Sequence, residues 1–317
     1  MNSMKLNDFR LIAAPFTPMS ADGSLNFDVV RDQAEHLVSS GVRGVFVGGT
    51  SGEGQALTID ERMALAESWS RDALRPKLEF IIHIGHNCQD EAIRLAAHAA
   101  ALDADGVALH APMWGKPPLN ELVDFCVPIA AAASALPFYI YDIPKITGSS
   151  VSSAKFLAAA KPQIPNLAGV KYTNPDCITA QECIQADGGN YDILWGTDEA
   201  LLAGVTLGAS GAVGSTYNFA APLYLRILDA IAADDWITAR IEQARAIAMV
   251  RVFEQFSTLA ALKFAMSLVG VDCGPVRSPL GNLNAADKRR LRSDLDQLGF
   301  TQFTANARPV ISSCKSA

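Results

Sequence analysis

The chain has 317 residues, half of them hydrophobic and 19% charged, and its formal net charge is −7 at pH 7. This composition excludes a disordered chain, and the length predicts a soluble globular protein of one large domain or two small ones. The acidic balance disfavours nucleic acid as a partner, because phosphate binding requires an excess of Lys and Arg.

Eight short runs of apolar and β-branched residues follow one another along the chain and predict buried strands. They comprise residues 11–15, 45–49, 80–85, 106–111, 138–143, 167–172, 191–196 and 211–215. Segments with helical spacing lie between them, at residues 28–37, 58–71, 90–102, 120–133 and 152–160. Thr58 and Glu61 have the capping-box spacing that marks the start of a helix.

Strands that are apolar on both faces and alternate with helices predict an α/β fold, a (β/α)8 TIM barrel with a helical C-terminal extension. An open doubly wound sheet is the alternative, but the glycine-rich loop at residues 48–54 lacks its G-x-G-x-x-G spacing. Beyond about residue 221 the patterns are helical, including residues 236–253 and 285–297. We therefore predict a barrel over residues 1–220 and C-terminal helices over residues 221–317, packed on the barrel.

Neither a metal site nor a cofactor is expected from the cysteines and histidines. The six cysteines form no C-x-x-C pair, and the five histidines show no H-x-x-x-H or H-x-H spacing. The first residues lack the apolar core of a signal peptide, so we expect reduced thiols and a cytoplasmic location. The uncharged stretch at residues 200–225 reaches membrane-spanning length, but its glycines, asparagine and proline break it into shorter elements, and no membrane association is expected.

In a barrel of this kind, polar residues at the C-terminal ends of the strands are the candidate functional residues. Thr50 and Ser51 follow the second strand in a loop whose hydroxyls and free amides could bind a carboxylate, although a plain tight turn is the alternative. Lys171 ends the apolar sixth strand. Burial there would lower the pKa of its amine and suit a Schiff-base nucleophile, unless the side chain reaches solvent or pairs with a carboxylate.

Two tyrosines on the fifth strand, Tyr139 and Tyr141, share one face, and either could transfer a proton near the lysine, although core packing is the commoner role. Asp198 and Glu199 follow the seventh strand, and Ser215 follows the eighth. Paired carboxylates beside hydroxyls suit a polyol ligand, but Asp198 could instead cap the next helix.

Among the histidines, His86 and His110 come at strand ends and are secondary candidates for the rim of the pocket, whereas His36 and His98 fall in predicted helices.

With these residues assembled, the sequence resembles the superfamily of pyruvate-dependent class I aldolases that includes N-acetylneuraminate lyase and dihydrodipicolinate synthase. Three motifs carry the resemblance, and they occur in the expected order: Gly49-Thr-Ser-Gly-Glu53, Tyr141-Asp-Ile-Pro144 and Gly169-Val-Lys171. It extends over essentially the whole chain. Segments such as Gly196-Thr-Asp-Glu199 and Gly274-Pro-Val-Arg-Ser-Pro279 resemble the animal-type N-acetylneuraminate lyase branch of this superfamily.

The resemblance implies a lyase without cofactor or metal that cleaves N-acetylneuraminate, a small-molecule substrate, to pyruvate and N-acetylmannosamine. It implies that Lys171 forms the Schiff base, that Tyr141 positions the proton transfer, and that Thr50 and Ser51 bind the carboxylate. It further implies a substrate-binding role for a second set of residues, Thr173, Gly196, Asp198, Glu199 and Ser215. A homo-oligomer, in the family commonly a tetramer, is implied as well.

Two positions depart from the synthase pattern. Ile146 stands where a synthase would carry an arginine for a second carboxylate, and Trp114 stands in the segment that would supply a relay tyrosine. A tryptophan cannot accept and return a proton as a phenol can. Trp114 also keeps a second hypothesis open, namely the same Schiff-base chemistry on another 2-oxo acid, as in 2-keto-3-deoxy sugar acid aldolases and dehydratases. A catalytically silent sugar-acid binding protein is the third hypothesis.

Overall fold

The computed structural model of the protein describes residues 8–72 and 74–304. Its centre is a closed barrel of eight parallel strands in sequential order, in which β1 also pairs with β8. The strands are β1 (Arg10–Ala13), β2 (Gly44–Val47), β3 (Glu79–His83), β4 (Gly106–His110), β5 (Phe138–Asp142), β6 (Leu167–Tyr172), β7 (Asp192–Trp195) and β8 (Gly211–Gly214). Each predicted strand overlaps one of them, so the predicted (β/α)8 barrel is confirmed.

Helices cover the outside of the barrel and continue beyond β8. They are α1 (Asp28–Ser39), α2 (Ile59–Arg71), α3 (Gln89–Ala101), α4 (Leu119–Ala132), α5 (Pro144–Thr147), α6 (Ser153–Ala160), α7 (Cys177–Gln185), α8 (Leu201–Leu207), α9 (Tyr217–Ala232), α10 (Trp236–Phe253), α11 (Thr258–Leu268), α12 (Ala285–Gln297) and α13 (Phe300–Thr304). The predicted capping box is present at the start of α2, where Thr58 and Glu61 bond each other's backbone amides. His36 lies in α1 and His98 in α3, as expected.

The apolar residues form two separate clusters because each strand buries both of its faces. The larger cluster lies between the strands and the helices. The smaller one fills the inside of the barrel and consists of Ile12, Ala14, Phe46, Ile81, Ala108, Tyr139, Tyr141, Ile143, Leu194 and Val213. Any polar side chain that points inward among these residues is removed from water.

The C-terminal extension is attached to the barrel through α9, on which α10 and α13 pack. The division at residue 220 stays a prediction; α9 runs across it, with non-helical backbone angles at Ala220. The uncharged stretch at residues 200–225 is broken into α8, β8 and the first half of α9, as predicted. Among the described residues, no helix combines the length and the apolar character needed to cross a membrane.

The N-terminal end of the barrel is closed by a cluster of charges around Arg10. Its guanidinium lies 2.8 Å from Glu79 and 2.5 Å from Asp192, so the first residues of three strands are joined. Tyr139 donates a hydrogen bond of 2.7 Å to Asp192. The two tyrosines of β5 therefore have different surroundings, and Tyr139 belongs to this end of the barrel.

We expect the substitution Arg10→Met to lower the free energy of unfolding by about 2 kcal/mol, because it leaves two partly buried carboxylates without their cation. Chemical denaturation followed by far-UV circular dichroism measures this loss. An unchanged denaturation midpoint would show that the cluster contributes nothing to stability.

Candidate active site

A cavity of about 970 Å³ opens at the C-terminal end of the barrel, where the active site of such a fold is expected. Its wall includes every residue predicted to bind substrate: Thr50, Ser51, Thr173, Gly196, Asp198, Glu199 and Ser215. These residues come from the loops after β2, β6, β7 and β8. Residues up to 165 positions apart in the sequence, Thr50 and Ser215, thus line one space.

Lys171 lies inside the barrel at the C-terminal end of β6 and is only 4% exposed. Its Nζ atom lies 3.7 Å from the centroid of the Phe46 ring and 4.0 Å from that of Tyr141. Among the described residues it has no ion pair, so the alternative of a paired lysine is not what the structure contains. Burial lowers the pKa of the amine to about 7, against the opposing attraction of Asp198.

Tyr141 is the neighbour of Lys171 in the sheet, with its Cα directly paired across β5 and β6. Its hydroxyl lies 3.4 Å from Oγ1 of Thr50 on the cavity wall. Burial raises the pKa of the phenol, and the Thr50 hydroxyl beside it opposes this shift. The Tyr141 phenol and the Lys171 amine are therefore held side by side; neither residue lines the cavity, but Thr50 beside them does.

Asp198 is the buried acid of the site. Its Oδ2 atom accepts hydrogen bonds from the Thr216 amide at 2.8 Å and the Thr216 hydroxyl at 2.6 Å. Burial raises its pKa to about 6, although these two hydrogen bonds and Lys171 favour the ionised form. Because its bonds run forward to the loop after β8, Asp198 joins two loops of the wall. The N-cap position of the short helix Asp198–Ala200 is taken by Thr197 and that of α8 by Ala200, so Asp198 is the N-cap residue of neither helix.

Two glycines make room for polar groups of the wall. A Cβ atom at Gly196 would overlap the Thr173 hydroxyl, and one at Gly214 would overlap the carboxylate of Asp198. Glycine at these positions lets the side chains of Thr173 and Asp198 lie against the backbone of the next strand's loop. The predicted substrate-binding role of Gly196 stays a prediction.

One side of the cavity was not predicted from the sequence. The end of α10 and the first turns of α11 contribute a largely apolar wall, which includes Phe253, Leu259 and Leu262, and Leu280 adds to it from the following loop. Nothing in the helical spacing distinguishes these side chains from ordinary core residues. The C-terminal extension is therefore part of the site rather than only a support for the barrel.

A second group that the sequence did not reveal is the buried ion pair between Glu53 and Lys263, in which Nζ lies 2.8 Å from Oε1. Glu53 ends the loop that carries Thr50 and Ser51, whereas Lys263 lies in α11. The two residues are 210 positions apart, so no local pattern could have joined them.

The secondary candidates lie elsewhere. His110 is buried and its Nε2 atom lies 2.8 Å from Gln55, and neither it nor His86 is part of the cavity wall. Trp114, in the loop between β4 and α4, is 81% exposed and lies outside the wall as well. Within residues 8–72 and 74–304, no three His, Cys, Asp or Glu side chains are grouped as metal ligands. The five cysteines of these ranges are free thiols, and Cys314 lies outside the described residues.

The chain matches the dihydrodipicolinate synthetase family over residues 8–298. It is 36% identical to the N-acetylneuraminate lyase of Rattus norvegicus over 298 residues, which is 92% of this chain and 93% of the relative. The solved structure of Proteus mirabilis N-acetylneuraminate lyase superposes with a TM-score of 0.89 at 40% identity, covering 92% of this chain and 99% of the other. The lyase of Aliivibrio salmonicida gives a TM-score of 0.88 at 35% identity, with coverages of 92% and 97%.

We expect Lys171→Met to stabilise the fold by about 2 kcal/mol or more at pH 6, because it removes a buried amine that must be charged there. The folded-state pKa of about 7 lies below the ordinary lysine value of 10.5. The cost of burying the lysine is therefore fully present below pH 7 and falls as the pH rises towards 10.5.

Urea denaturation of the wild type and Lys171→Met at pH 6 and pH 9 tests this expectation, with the exposed Lys155→Met as the control. A Lys171→Met protein no more stable than the wild type at pH 6, or an advantage that grows with pH, would contradict it.

Proposed function

The chain belongs to the dihydrodipicolinate synthetase family, and on this basis we propose that it is a Schiff-base lyase cleaving N-acetylneuraminate to pyruvate and N-acetylmannosamine. Relatives of that name at 35–40% identity over most of the chain support the reaction. One observation of this chain carries the proposal. It is the buried Lys171, whose pKa is lowered to about 7, beside Tyr141, whose hydroxyl lies 3.4 Å from that of Thr50 on the cavity wall.

The first step is attack of the neutral Lys171 amine on the C2 ketone of the open-chain sugar acid. The amine is a nucleophile only when unprotonated, and burial gives it this form near neutral pH. Thr50 and Ser51 line the cavity, the Thr50 hydroxyl lies 3.4 Å from that of Tyr141, and the hydroxyls of Thr50 and Ser51 are proposed to hold the C1 carboxylate. Loss of water then gives an iminium ion on C2, which serves as the electron sink.

The second step breaks the bond between C3 and C4. Removal of the C4 hydroxyl proton forms the aldehyde of N-acetylmannosamine, and the electron pair of the C3–C4 bond moves into the iminium to give an enamine. Tyr141 is proposed to position this proton, with the Thr50 hydroxyl 3.4 Å from its own. Protonation of the enamine at C3 and hydrolysis release pyruvate and free Lys171, so no cofactor is needed.

The rest of the sugar is proposed to lie against Asp198, Glu199 and Ser215 on the far side of the cavity. Carboxylates accept hydrogen bonds from sugar hydroxyls, and Asp198 is held in place by Thr216. Ile146 lines the same cavity with an apolar side chain, which offers nothing to a second carboxylate and favours a lyase over a synthase. A cytoplasmic location, expected from the reduced thiols, and a homotetramer, implied by the family resemblance, complete the proposal.

We expect borohydride reduction in the presence of pyruvate to leave a stable adduct on Lys171, found by peptide mass spectrometry. The initial rate of trapping at subsaturating pyruvate should rise about tenfold per pH unit below about pH 7 and level off above it, following the neutral amine. Lys171→Met is the negative control. An adduct on another lysine, or none on the folded protein, would refute the proposed chemistry.

We expect Glu199→Gln to raise the KM for N-acetylneuraminate about tenfold while it leaves the trapping of pyruvate unchanged, because pyruvate lacks the sugar hydroxyls. Steady-state assay of N-acetylmannosamine release measures the first quantity and borohydride trapping the second. A panel of 2-keto-3-deoxy sugar acids run alongside tests the alternative substrate class. If one of these exceeds N-acetylneuraminate in kcat/KM, the lyase assignment fails while the Schiff-base chemistry stands.

A further inference from the structure

The loop that carries Thr50 and Ser51 is anchored to the C-terminal extension by buried charges. We propose that Lys263 is a positioning residue for the substrate carboxylate, acting through Glu53 on this loop. The inference rests on the proposed function and deepens it, because it names what holds the carboxylate-binding hydroxyls in place. Neither Glu53 nor Lys263 lines the cavity, and Glu53 shares its loop with Thr50 and Ser51, which do.

The loop turns back on itself at Glu53. This residue has a φ of 55°, in the left-handed region that side chains other than glycine rarely adopt. Its amide donates to the Thr50 carbonyl at 3.1 Å, and the amide of Gly54 donates to Gly49 at the same distance. The backbone at Thr50 and Ser51 therefore depends on Glu53 staying in this conformation. Such a conformation persists only where the surroundings fix it.

The side chain of Glu53 is fixed from two directions. Oε1 accepts from Lys263 at 2.8 Å and Oε2 accepts from the Arg277 amide at 2.7 Å. Lys263 also donates to the Pro275 carbonyl at 2.6 Å. The side chains of Lys263 and Glu53 are 2% and 1% exposed, so each charge is paired and shielded from water. All of these donors belong to the C-terminal extension.

The Arg277 side chain adds a second attachment just beyond the loop. It makes a bidentate pair with Glu61 at 2.7 and 2.8 Å, in the first turn of α2, and donates to the Ala56 carbonyl at 3.1 Å. The loop is thus bounded by β2 on one side and by a helix start that the same extension holds on the other. The loop that carries Thr50 is therefore held both before and after this residue.

A buried ion pair of this kind is weak evidence for a purely stabilising role, because apolar side chains of similar volume often stabilise a fold as well or better. Its distinctive property is direction: a carboxylate held between a lysine and an amide cannot rotate without breaking a charged hydrogen bond. The positive charge of Lys263 is already neutralised by the Glu53 carboxylate. Lys263 is therefore not proposed to bind the substrate anion directly. Its contribution is the orientation of the loop.

The test is Lys263→Met, assayed by borohydride trapping of Lys171 over a range of pyruvate concentrations. We expect the half-saturating concentration to rise about tenfold or more, whereas the trapping rate at saturation changes by less than about threefold, since Lys171 is untouched. The matched control is Arg10→Met, which breaks a comparable charge cluster at the opposite end of the barrel. It should destabilise the fold and leave the half-saturating concentration unchanged.

A double variant separates positioning from general damage. Glu53→Gln combined with Lys263→Met removes both charges, and the carbonyl oxygen of the introduced glutamine can still accept from the Arg277 amide. We expect it to recover part of the affinity for pyruvate that Lys263→Met loses. If Lys263→Met yields no folded protein, the same measurement is made on Lys263→Gln, which retains a hydrogen-bond donor. This variant should also raise the half-saturating concentration of pyruvate.

The outcomes separate this inference from the proposed function. Half-saturation within about twofold of the wild type in the folded Lys263 variant, or an equal shift in Arg10→Met, would overturn the positioning role alone. Absence of any adduct in the wild type would overturn the proposed function, and the inference with it.

Discussion

The removal of Lys171 from water is the constraint on which the rest of the site depends. A closed parallel barrel has an interior filled by side chains, and here Phe46 and Tyr141 enclose the amine at 3.7 and 4.0 Å. Contact with water would return the pKa of Lys171 towards its ordinary value. The packing of the barrel interior therefore sets the pKa of the amine.

Asp198 experiences the same dry environment with the opposite consequence. Burial pushes the pKa of the lysine down to about 7 and that of the acid up to about 6, while the attraction between the two opposes both shifts. Both groups are therefore close to titration at neutral pH, and the charge on one affects the charge on the other. Thr216 limits the shift of the acid by donating two hydrogen bonds to it, which ties the electrostatics of the site to the loop after β8.

The features that could be predicted from the sequence are those that depend on residues close to one another along the chain. The eight strands and the cap at Thr58 could be predicted because apolar runs and capping residues act over a few positions. Lys171 was identifiable because a charged residue at the end of an apolar strand is conspicuous. The pair of Glu53 and Lys263 and the wall from α10 and α11 could not be predicted, because they depend on how the extension folds back over the barrel. Lys263 lies 210 positions after Glu53, and nothing near it in the sequence distinguishes it from a surface lysine.

The proposed reacting groups and the apolar wall of the cavity belong to different parts of the fold. The amine and the phenol stand on neighbouring strands, where hydrogen bonding fixes their register, while Phe253, Leu259 and Leu280 stand on segments that contribute no strand. Over evolutionary time, the extension can exchange side chains and alter which sugar acid enters without disturbing the strands that carry the proposed reacting groups. An architecture arranged in this way can diversify its substrates while it inherits a single set of reacting groups.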